Sequence, residues 1–347
     1  MTARSTEGAL RRLLQDGRAR AAGNGPEHAR LWEALVAATE GGKRFRPALV
    51  TAVHDALGGT RPAAAAEVGA AVELLHTAFV VHDDVIDGDE VRRGRLNVNG
   101  TFRGSALAAG AAPDDAAALG RTAGILAGDL ALAAAVRAVA TCGAPGRLVS
   151  RLLDLFDAAL HTTAAGELAD VRLSLRVGTA SLPAILAMEE QKTSAYSFAL
   201  PMQAGALLAG ADESTTRRLG EAGRALGVGF QLRDDLLGVF GDPGETGKSA
   251  TSDLRARKQT PLLAHARGTA EWPRIEAHLG RDLDNAQLEE VRRLLTVSGS
   301  RAFVEELAGS HLAAARSELE QLGLAADLLT PAITGLDGKL DSEEVAA

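Results

Sequence analysis

Three aspartates in the first third of the chain have a spacing that could hold a metal ion. Asp83, Asp84 and Asp87 form the pattern DDxxD. On a helix, residues four apart share a face, so Asp83 and Asp87 would point into one space with Asp84 beside them. Like charges this close destabilise a bare helix. One interpretation is a solvated acidic helix face, but the flanking residues are apolar. They are Val80, Val81, Val85 and Ile86.

A second acidic pair, Asp234 and Asp235, follows later in the chain and is also flanked by apolar residues. Carboxylates inside apolar helices need a cation partner. The single cysteine, Cys142, excludes a metal cluster made of cysteines alone. Oxygen ligands favour Mg²⁺, a hard ion that is usually shared with substrate phosphates. The two acidic clusters therefore predict a magnesium site for a phosphorylated substrate.

Short groups of basic residues accompany both acidic clusters. They are Lys43, Arg44 and Arg46 within GGKRFRP (41–47), Arg92 and Arg93, Lys192, Lys248, and Lys258. Arginine binds phosphate through two parallel N–H groups, and lysine acts as a mobile point charge. Each residue taken alone fits an ordinary surface cation. Their order beside two acidic clusters is more specific and predicts binding of diphosphates.

The elements that must position these residues are predicted to be helices. Alanine and leucine are abundant, aromatic residues make up only 3%, and apolar residues recur at helical spacing. We expect one all-α domain over residues 1–347, a large bundle with its functional groups on facing helices. The ends, about 1–25 and 338–347, are predicted to fray. The Ala/Gly-rich stretch 104–120 is predicted to be a loop that ends in a helix capped at Asp114.

Composition also excludes several classes of function. The net charge of −8 argues against a nucleic-acid partner, which requires a concentrated basic surface. Residues 1–16 contain no apolar segment, so no signal peptide is expected. We find no uncharged apolar stretch of about 18 residues and expect no membrane span. The most hydrophobic segment, 125–140, is predicted to be a core helix. These features indicate a cytoplasmic protein.

The motifs, in this order, resemble those of trans-isoprenyl diphosphate synthases of the polyprenyl synthetase family, particularly bacterial geranylgeranyl diphosphate synthases. The matching stretches are GGKRFRP (41–47), LLHTAFVVHDDVIDGDEVRRG (74–94), ILAGDLAL (125–132), GELAD (166–170), QKTS (191–194) and GFQLRDDLLGVFGDPGETGKSATSDLRARKQTPLL (229–263). The resemblance implies an all-α isoprenoid synthase fold with a deep central cleft, a homodimer, and three Mg²⁺ ions in each active site.

The resemblance also implies roles for individual residues. The main metal ligands would be Asp83, Asp87 and Asp234, with Asp84 and Asp235 in support. These five and Lys192 would form the catalytic set. Isopentenyl diphosphate would be bound by Lys43, Arg46, His76 and Arg93. The allylic diphosphate would be bound by Arg92, Lys192, Thr193, Gln231, Lys248 and Lys258.

The chain departs from the family pattern at several positions. The third aspartate of the second motif is replaced by Gly238, so we expect metal binding there to persist but to weaken. Asp242 could compensate if the helix continues that far. Glu167 stands where many relatives have glutamine, and Glu167 and Asp170 either bind metal or pair with an N–H group or an arginine. His82 either orients a motif aspartate or packs between helices, and the second interpretation is favoured.

The implied reaction is the head-to-tail (1′-4) condensation of isopentenyl diphosphate with an allylic diphosphate. Phe79 lies one helical turn before Asp83 and could close the floor of the product site, while Ala78 leaves space beside it. Phe79 could equally be a core residue. A C20 product, geranylgeranyl diphosphate, is favoured over the C15 farnesyl diphosphate. The sequence also leaves open a non-catalytic partner subunit and a class I terpene cyclase. A cyclase would not need the second diphosphate site that GGKRFRP indicates.

Overall fold

The structure is a computed structural model that describes residues 5–175, 180–241 and 252–325. These residues are almost entirely helical, which confirms the predicted all-α class. The elements in chain order are α1 (Thr6–Ala22), α2 (Pro26–Ala38), α3 (Phe45–Ala56), α4 (Pro62–Asp87), β1 (Val91–Arg92), β2 (Arg95–Leu96), α5 (Val98–Ala108), α6 (Pro113–Ala140), α7 (Gly146–Ser174), α8 (Leu182–Glu189), a π-helix (Glu190–Ala199), α9 (Leu200–Ala209), α10 (Glu213–Phe240), α11 (Ser252–Ala256), α12 (Pro261–Ala266), α13 (Trp272–Glu276), α14 (Asn285–Val297) and α15 (Ser300–Gln321).

The described residues form two compact units. The first contains the residues up to Phe156 and Ala204–Ala211, and the second contains those of Asp157–Gln203 and those from Asp212 onward. The DDxxD motif belongs to the first unit, and the second acidic pair belongs to the second unit. The expectation of one domain over 1–347 stays a prediction.

Helix α4 is the central helix of the first unit. It begins at Pro62, where the missing proline N–H costs no hydrogen bond, and it packs against α1, α3 and α6. It ends at Gly88, which has a φ of 73°. Glycine adopts this left-handed conformation without a Cβ penalty, so the helix stops directly after Asp87. The first acidic motif therefore occupies the last turn of a core helix.

Helices α5 and α6 cover most of the stretch 104–120, so the predicted loop is wrong. Only residues 109–112 separate the two helices, and α6 begins at Pro113. A Cβ on Gly120 would lie 2.4 Å from Oδ1 of Asn99, which is closer than a side chain can approach. Glycine is needed there because α6 packs closely against α5, not because the backbone is flexible.

Helix α1 covers most of the N-terminal segment that was predicted to fray. The ring of Trp32 lies directly against Gly17, whose missing side chain makes room for it. Nε1 of Trp32 donates a hydrogen bond to the carbonyl oxygen of Leu14 at 2.9 Å. These contacts fix Thr6–Ala22 on α2, so fraying is wrong for that range. The other end, 338–347, lies outside the described residues.

Two helices, α4 and α6, are long and apolar enough to cross a membrane by length and composition. The most apolar window of α4 is 78% buried within the protein, as a core helix requires, whereas that of α6 is 44% buried. Ile125 and Leu126 of α6 are each 48% exposed. The prediction of a core helix over 125–140 is therefore correct for one face only, and the absence of a membrane span stays a prediction.

Helix α10 is the central helix of the second unit, and it packs against α15 and the π-helix. Glycines on one face allow a close approach. A Cβ on Gly223 would lie 2.7 Å from Cα of Ala199, and one on Gly227 would lie 2.5 Å from the Ser194 side chain. The second acidic pair lies in the last turns of α10.

Candidate active site

The first acidic motif contains one buried and two more accessible aspartates. Asp84 is 3% exposed, the Asp83 side chain is 24% exposed, and Asp87 is exposed. The Arg92 guanidinium donates from Nε to Oδ1 of Asp84 at 2.6 Å and from Nη2 to Oδ2 of Asp83 at 3.2 Å. Arg92 thus fixes the buried carboxylate and contacts its neighbour.

Burial raises the pKa of the Asp84 carboxyl to about 6, although the charge and hydrogen bond of Arg92 favour ionisation. Burial also opposes the charge of Arg92, but Asp84 and Asp83 outweigh it and raise the pKa of the guanidinium. Arg92, predicted to bind the allylic diphosphate, is therefore also the counter-ion of the first motif.

A short hairpin carries the two arginines that follow the motif. Strands β1 and β2 are antiparallel, with Val91 opposite Leu96. Arg93 (φ 55°) and Gly94 (φ 72°) form its two-residue turn. Nη1 of Arg93 donates to the Glu40 carbonyl oxygen at 2.9 Å. A positive φ is uncommon for a non-glycine residue and concentrates at functional sites. The sequence pattern does not reveal this hairpin, because each strand has only two residues.

In the loop GGKRFRP, the two predicted ligands of isopentenyl diphosphate differ in their exposure. Lys43 is exposed, and Arg46 is partly buried, with its guanidinium carbon 4.4 Å from the centroid of the Phe45 ring. This cation–π contact orients the arginine side chain. Both residues lie next to the start of α3, as the motif requires.

Arg44 and Glu73 anchor this loop. Arg44 belongs to the predicted basic groups but was assigned no substrate, and Glu73 is not among the predicted site residues. Glu73 is 4% exposed on α4 and forms an ion pair with Nη1 of Arg44. Nη2 of Arg44 donates to the Thr39 carbonyl oxygen at 2.6 Å. Arg44 has a φ of 55°, which these contacts stabilise. Glu73 is one of two glutamates in the apolar part of α4 that precedes the acidic motif, and this placement was the available signal.

A cavity of about 360 Å³ lies in the first unit, between residues of α2, α4 and the hairpin. Three predicted substrate-binding residues, His76, Arg92 and Arg93, line it. Lys43 and Arg46 are outside this lining. The cavity therefore brings together part of the predicted isopentenyl diphosphate set with one residue of the allylic set.

His76 is held neutral by its surroundings. Burial lowers the pKa of its imidazole well below the usual value, and the charges of Arg46 and Arg93 lower it further. A neutral imidazole has one donor and one acceptor nitrogen. His76 can thus donate a hydrogen bond to a phosphate oxygen without adding a charge.

The two predicted chain-length residues occupy different environments. Ala78 is 1% exposed and belongs to a packed cluster with Trp32, Phe102 and Ala127. Phe79 is partly buried. Ala78 thus faces neighbouring helices, and the chain-length roles of both residues stay predictions.

His82 packs against α6. A Cβ on Gly128 would lie 2.1 Å from Nε2 of His82, so the ring fills the space above that glycine. Nε2 is 3.3 Å from the Ile125 carbonyl oxygen and 3.4 Å from Oδ1 of Asp129. These contacts agree with the favoured interpretation of a helix-packing histidine.

The second acidic pair repeats the division into accessible and buried carboxylates. Asp234 is partly exposed and Asp235 is 3% exposed. Nε2 of Gln231 donates to Oδ1 of Asp235 at 2.9 Å. Among the described residues, Oδ2 of Asp235 and Oε2 of Glu189 are buried without a hydrogen-bond partner. Gln231, predicted to bind diphosphate, therefore orients Asp235.

Three neighbouring groups have shifted protonation equilibria. Burial raises the pKa of Asp235 to about 6, against the attraction of Lys258. Burial and then repulsion from Asp235 raise the pKa of Glu189 well above its usual value, which favours its neutral form. Burial favours a neutral Lys258, but Asp235, Asp253 and Asp170 outweigh it and raise the pKa of the ammonium. Glu189 is a further residue that the sequence pattern does not single out.

Lys192 stands on the π-helix, a rare element that often marks functional sites. Its Nζ lies 2.7 Å from Oδ2 of Asp170 and 3.0 Å from Oε2 of Glu167. The cation partner of these two carboxylates is therefore a lysine. Thr193 follows and is partly exposed.

Two further predicted residues, Lys248 and Asp242, lie outside the described residues. Helix α10 continues through Gly238 and ends at Phe240, before Asp242. Any compensation for Gly238 within α10 itself would have to come from a residue other than Asp242.

The described residues fit a hard divalent ion that is completed by substrate. Within the three described ranges, no three acidic, histidine or cysteine side chains already converge as a metal cage. Oxygen-only donors suit Mg²⁺, which is commonly held by one or two carboxylates together with substrate phosphates. Asp83, Asp87 and Asp234 supply the accessible carboxylates.

The known proteins to which this chain is similar include geranylgeranyl and farnesyl diphosphate synthases. The solved geranylgeranyl pyrophosphate synthase of Corynebacterium glutamicum, complexed with isoprenyl diphosphate and magnesium, matches with a TM-score of 0.87 and 27% identity, over 95% of this chain and 97% of that one. The geranylgeranyl diphosphate synthase of Sulfolobus acidocaldarius is 36% identical over 65% of this chain and 63% of that protein. The (2E,6E)-farnesyl diphosphate synthase of Mycobacterium tuberculosis is 34% identical over 82% of this chain and 75% of that protein.

The helical fold and the two acidic motifs define an isoprenoid synthase, a prenyltransferase that requires a divalent metal. The family model described as polyprenyl synthetase matches residues 28–296. The chain belongs to the polyprenyl synthetase family.

Proposed function

We propose that the protein condenses isopentenyl diphosphate head to tail with an allylic diphosphate to give geranylgeranyl diphosphate. The observation that carries this proposal is the cavity lined by His76, Arg92 and Arg93 in the unit that also holds DDxxD. A cyclase ionises one diphosphate and has no use for a second cationic site. The two described units act together as one catalytic domain.

In the proposed reaction, cationic side chains hold the allylic diphosphate while its bond to carbon breaks. Lys192, Lys258 and Arg92 stabilise the negative charge that grows on the leaving group, so their effect is greatest in the transition state. Three Mg²⁺ ions, held by Asp83, Asp87 and Asp234, would add to this charge stabilisation. Asp84 and Asp235 orient these ligands from their buried positions.

The second substrate is held by a separate set of residues. Lys43, Arg46, His76 and Arg93 bind isopentenyl diphosphate and turn its double bond toward the allylic carbon. Fixing this orientation is worth about 7–11 kcal/mol in favourable cases. The neutral His76 donates a hydrogen bond, and the arginines supply the charge. The proton lost after bond formation passes to the departing diphosphate. None of the residues proposed here acts as the base for this step.

Product analysis tests the reaction. The purified chain is incubated with Mg²⁺, isopentenyl diphosphate and, in turn, dimethylallyl, geranyl and farnesyl diphosphate, and the products are sized. We expect C20 as the longest main product. Products that stop at C15 would favour farnesyl diphosphate synthesis, which the Mycobacterium tuberculosis relative supports as the second candidate. A cyclic hydrocarbon, or no product from the chain alone, would contradict prenyl chain elongation.

Product length also tests the proposed floor. Phe79→Ala removes the ring one turn before Asp83, so we expect products at least one C5 unit longer than those of the wild type. Val297→Ala, a truncation of a 63% exposed apolar side chain on α14, is the control. Unchanged product lengths in Phe79→Ala would remove Phe79 as the floor.

The proposal includes a cytoplasmic homodimer. Support comes from α6, which exposes Leu119, Ile125, Leu126 and Val136 on its outer surface. Pairing of two copies through this helix would bury these side chains at about 25 cal/mol per Å². Sedimentation of the full chain should give twice its mass of 35.8 kDa, and Leu126→Asp should shift it toward the monomer.

A further inference from the structure

The four residues assigned to isopentenyl diphosphate lie in two groups within the first unit. His76 and Arg93 line the cavity, whereas Lys43 and Arg46 of the loop GGKRFRP are outside its lining. One diphosphate can contact both groups only if the loop is held at a fixed position against the cavity wall. Binding of this substrate therefore depends on whatever joins the loop to the wall.

An ion pair between Glu73 and Arg44 joins these two parts of the site. Glu73 belongs to the cavity lining, is 4% exposed and pairs with Nη1 of Arg44. Arg44 lies between Lys43 and Arg46 in the sequence but is not part of the lining. Its Nη2 donates a hydrogen bond to the Thr39 carbonyl oxygen at 2.6 Å. A single guanidinium therefore ties the loop both to α4 and to the end of α2.

The backbone of the loop also depends on this ion pair. Arg44 has a φ of 55°, a left-handed conformation that a non-glycine residue keeps only when its surroundings hold it there. The preceding backbone passes directly over the pair. A Cβ built on Gly42 would lie 3.3 Å from Oε1 of Glu73 and 3.4 Å from Nη1 of Arg44. The pair therefore supports the backbone on both sides of Lys43.

The end of α2 brings Arg93 to the same place. Nη1 of Arg93 donates to the Glu40 carbonyl oxygen at 2.9 Å, one residue after the carbonyl that accepts from Arg44. Carbonyl groups at the C-terminal end of a helix attract cations. A Cβ on Gly42 would also lie 4.0 Å from Nη2 of Arg93. Two guanidinium groups, one from the loop and one from the hairpin, thus meet near the carboxylate of Glu73.

We propose that Glu73 is a positioning residue for isopentenyl diphosphate, and that it acts by holding Arg44, and with it the loop GGKRFRP, against the cavity wall. Most residues assigned to the allylic diphosphate belong to the second unit. Binding of the allylic substrate should therefore not depend on the ion pair. This inference rests on the proposed function, because it assumes that isopentenyl diphosphate binds between the loop and the cavity.

The carboxylate of Glu73 has two opposing effects on a bound diphosphate. Its negative charge lies near a site for anions, so removal of the charge alone would strengthen binding. Its contact with Arg44 orders the loop, so removal of the contact weakens binding. The charge is already balanced by the guanidinium that it contacts, whereas a misplacement of about 1 Å can cost about 10²-fold in rate. We therefore expect the positioning effect to dominate.

Glu73→Gln tests the proposal, because it removes the charge of the side chain and keeps its volume. We expect the KM for isopentenyl diphosphate to rise about tenfold. The KM for the allylic substrate, and kcat at saturating isopentenyl diphosphate, should stay within about threefold of the wild type. Calorimetric titration of the full chain with isopentenyl diphosphate alone should show the same loss of affinity. Melting temperatures verify that each variant folds.

The matched control is Glu67→Gln, which makes the same substitution on the same helix. Glu67 pairs with Arg12 of α1 and is not part of the cavity lining. Its replacement should leave both KM values unchanged. Arg44→Gln breaks the pair from the other side, so it should repeat the effect of Glu73→Gln and replaces that variant if it does not fold. In the double variant of both positions, the loss should be no greater than in the more affected single variant.

Two outcomes would overturn the proposal. If Glu73→Gln binds isopentenyl diphosphate as tightly as the wild type or more tightly, the carboxylate does not position the loop for this substrate. If the KM values for both substrates rise together as the melting temperature falls, the ion pair only stabilises the fold. The proposed function is judged separately, by whether the wild-type chain forms prenyl products at all.

Discussion

The two acidic motifs are alike in one respect and different in two. In each, the first aspartate is accessible and the second is buried, with its pKa raised to about 6. They differ in the cation that faces the buried carboxylate, which is Arg92 in the first unit and Lys258 in the second. They also differ in the third position of the motif, which is Asp87 in the first motif and Gly238 in the second.

The buried carboxylate of each motif needs a nearby cation, and different residues supply it in the two units. In both motifs, a nearby cation opposes the neutralising effect of burial on the second carboxylate. Arginine meets this need with two directed N–H groups. The second unit uses a lysine, the Gln231 amide and Glu189 instead, and the raised pKa of Glu189 favours its neutral form. The two Asp-Asp pairs are identical in sequence, but different neighbouring residues stabilise their buried carboxylates.

The largest expected effect is the loss of an accessible acid. Asp83→Asn and Asp234→Asn should each lower kcat by about 10²–10³-fold or more, because each removes charge stabilisation of the leaving diphosphate. Asp154→Asn, which changes an exposed acid on α7, is the control. Steady-state turnover at saturating Mg²⁺ is the measurement. Near-normal turnover in either variant would refute its assignment as a metal ligand.

The next effect separates the two cations. Arg92→Lys replaces two directed N–H groups by a single ammonium that cannot reach both Asp83 and Asp84 in the same way. We expect kcat/KM for the allylic substrate to fall roughly tenfold, equivalent to about 1.4 kcal/mol. Lys258→Arg keeps the charge and should cost less. Equal losses would show that the guanidinium geometry is unimportant.

The smallest effect concerns stability and pH. The pKa of Asp84 is about 6 in the folded protein, against an ordinary value of 3.8. The Asp84 carboxyl therefore binds more protons in the folded state between these values, so the contribution of this group to stability falls as pH rises through this window. Asp84 should contribute roughly 2–3 kcal/mol of this fall. Urea unfolding of the EDTA-treated protein from pH 4 to 7 should show a shallower slope in Asp84→Asn, and an unchanged slope would contradict the shift.

Much of this arrangement is predictable from sequence because the helices are long and their apolar periodicity is regular. The DDxxD spacing and the apolar flanks predict a metal site on a helix, and the structure places Asp83 and Asp84 in the last turn of α4. The resemblance adds the order of the basic groups. Residue types and local spacing carry these features, so no tertiary information is needed.

The parts that sequence does not predict depend on contacts between distant positions. Glu73 and Glu189 are single carboxylates whose partners are set by the fold. The stretch 104–120 looks flexible because it is rich in glycine, yet Gly120 serves close packing against Asn99. Local composition cannot distinguish a packing glycine from a loop glycine.

The two motifs are proposed to serve one chemical step, and a double-mutant cycle tests this most directly. It combines Asp83→Asn and Asp234→Asn, with kcat measured by a radiolabelled product assay. Groups that act as a unit give strongly non-additive losses. We expect the double variant to be little slower than the slower single variant. Losses that multiply across the two motifs would contradict a shared step.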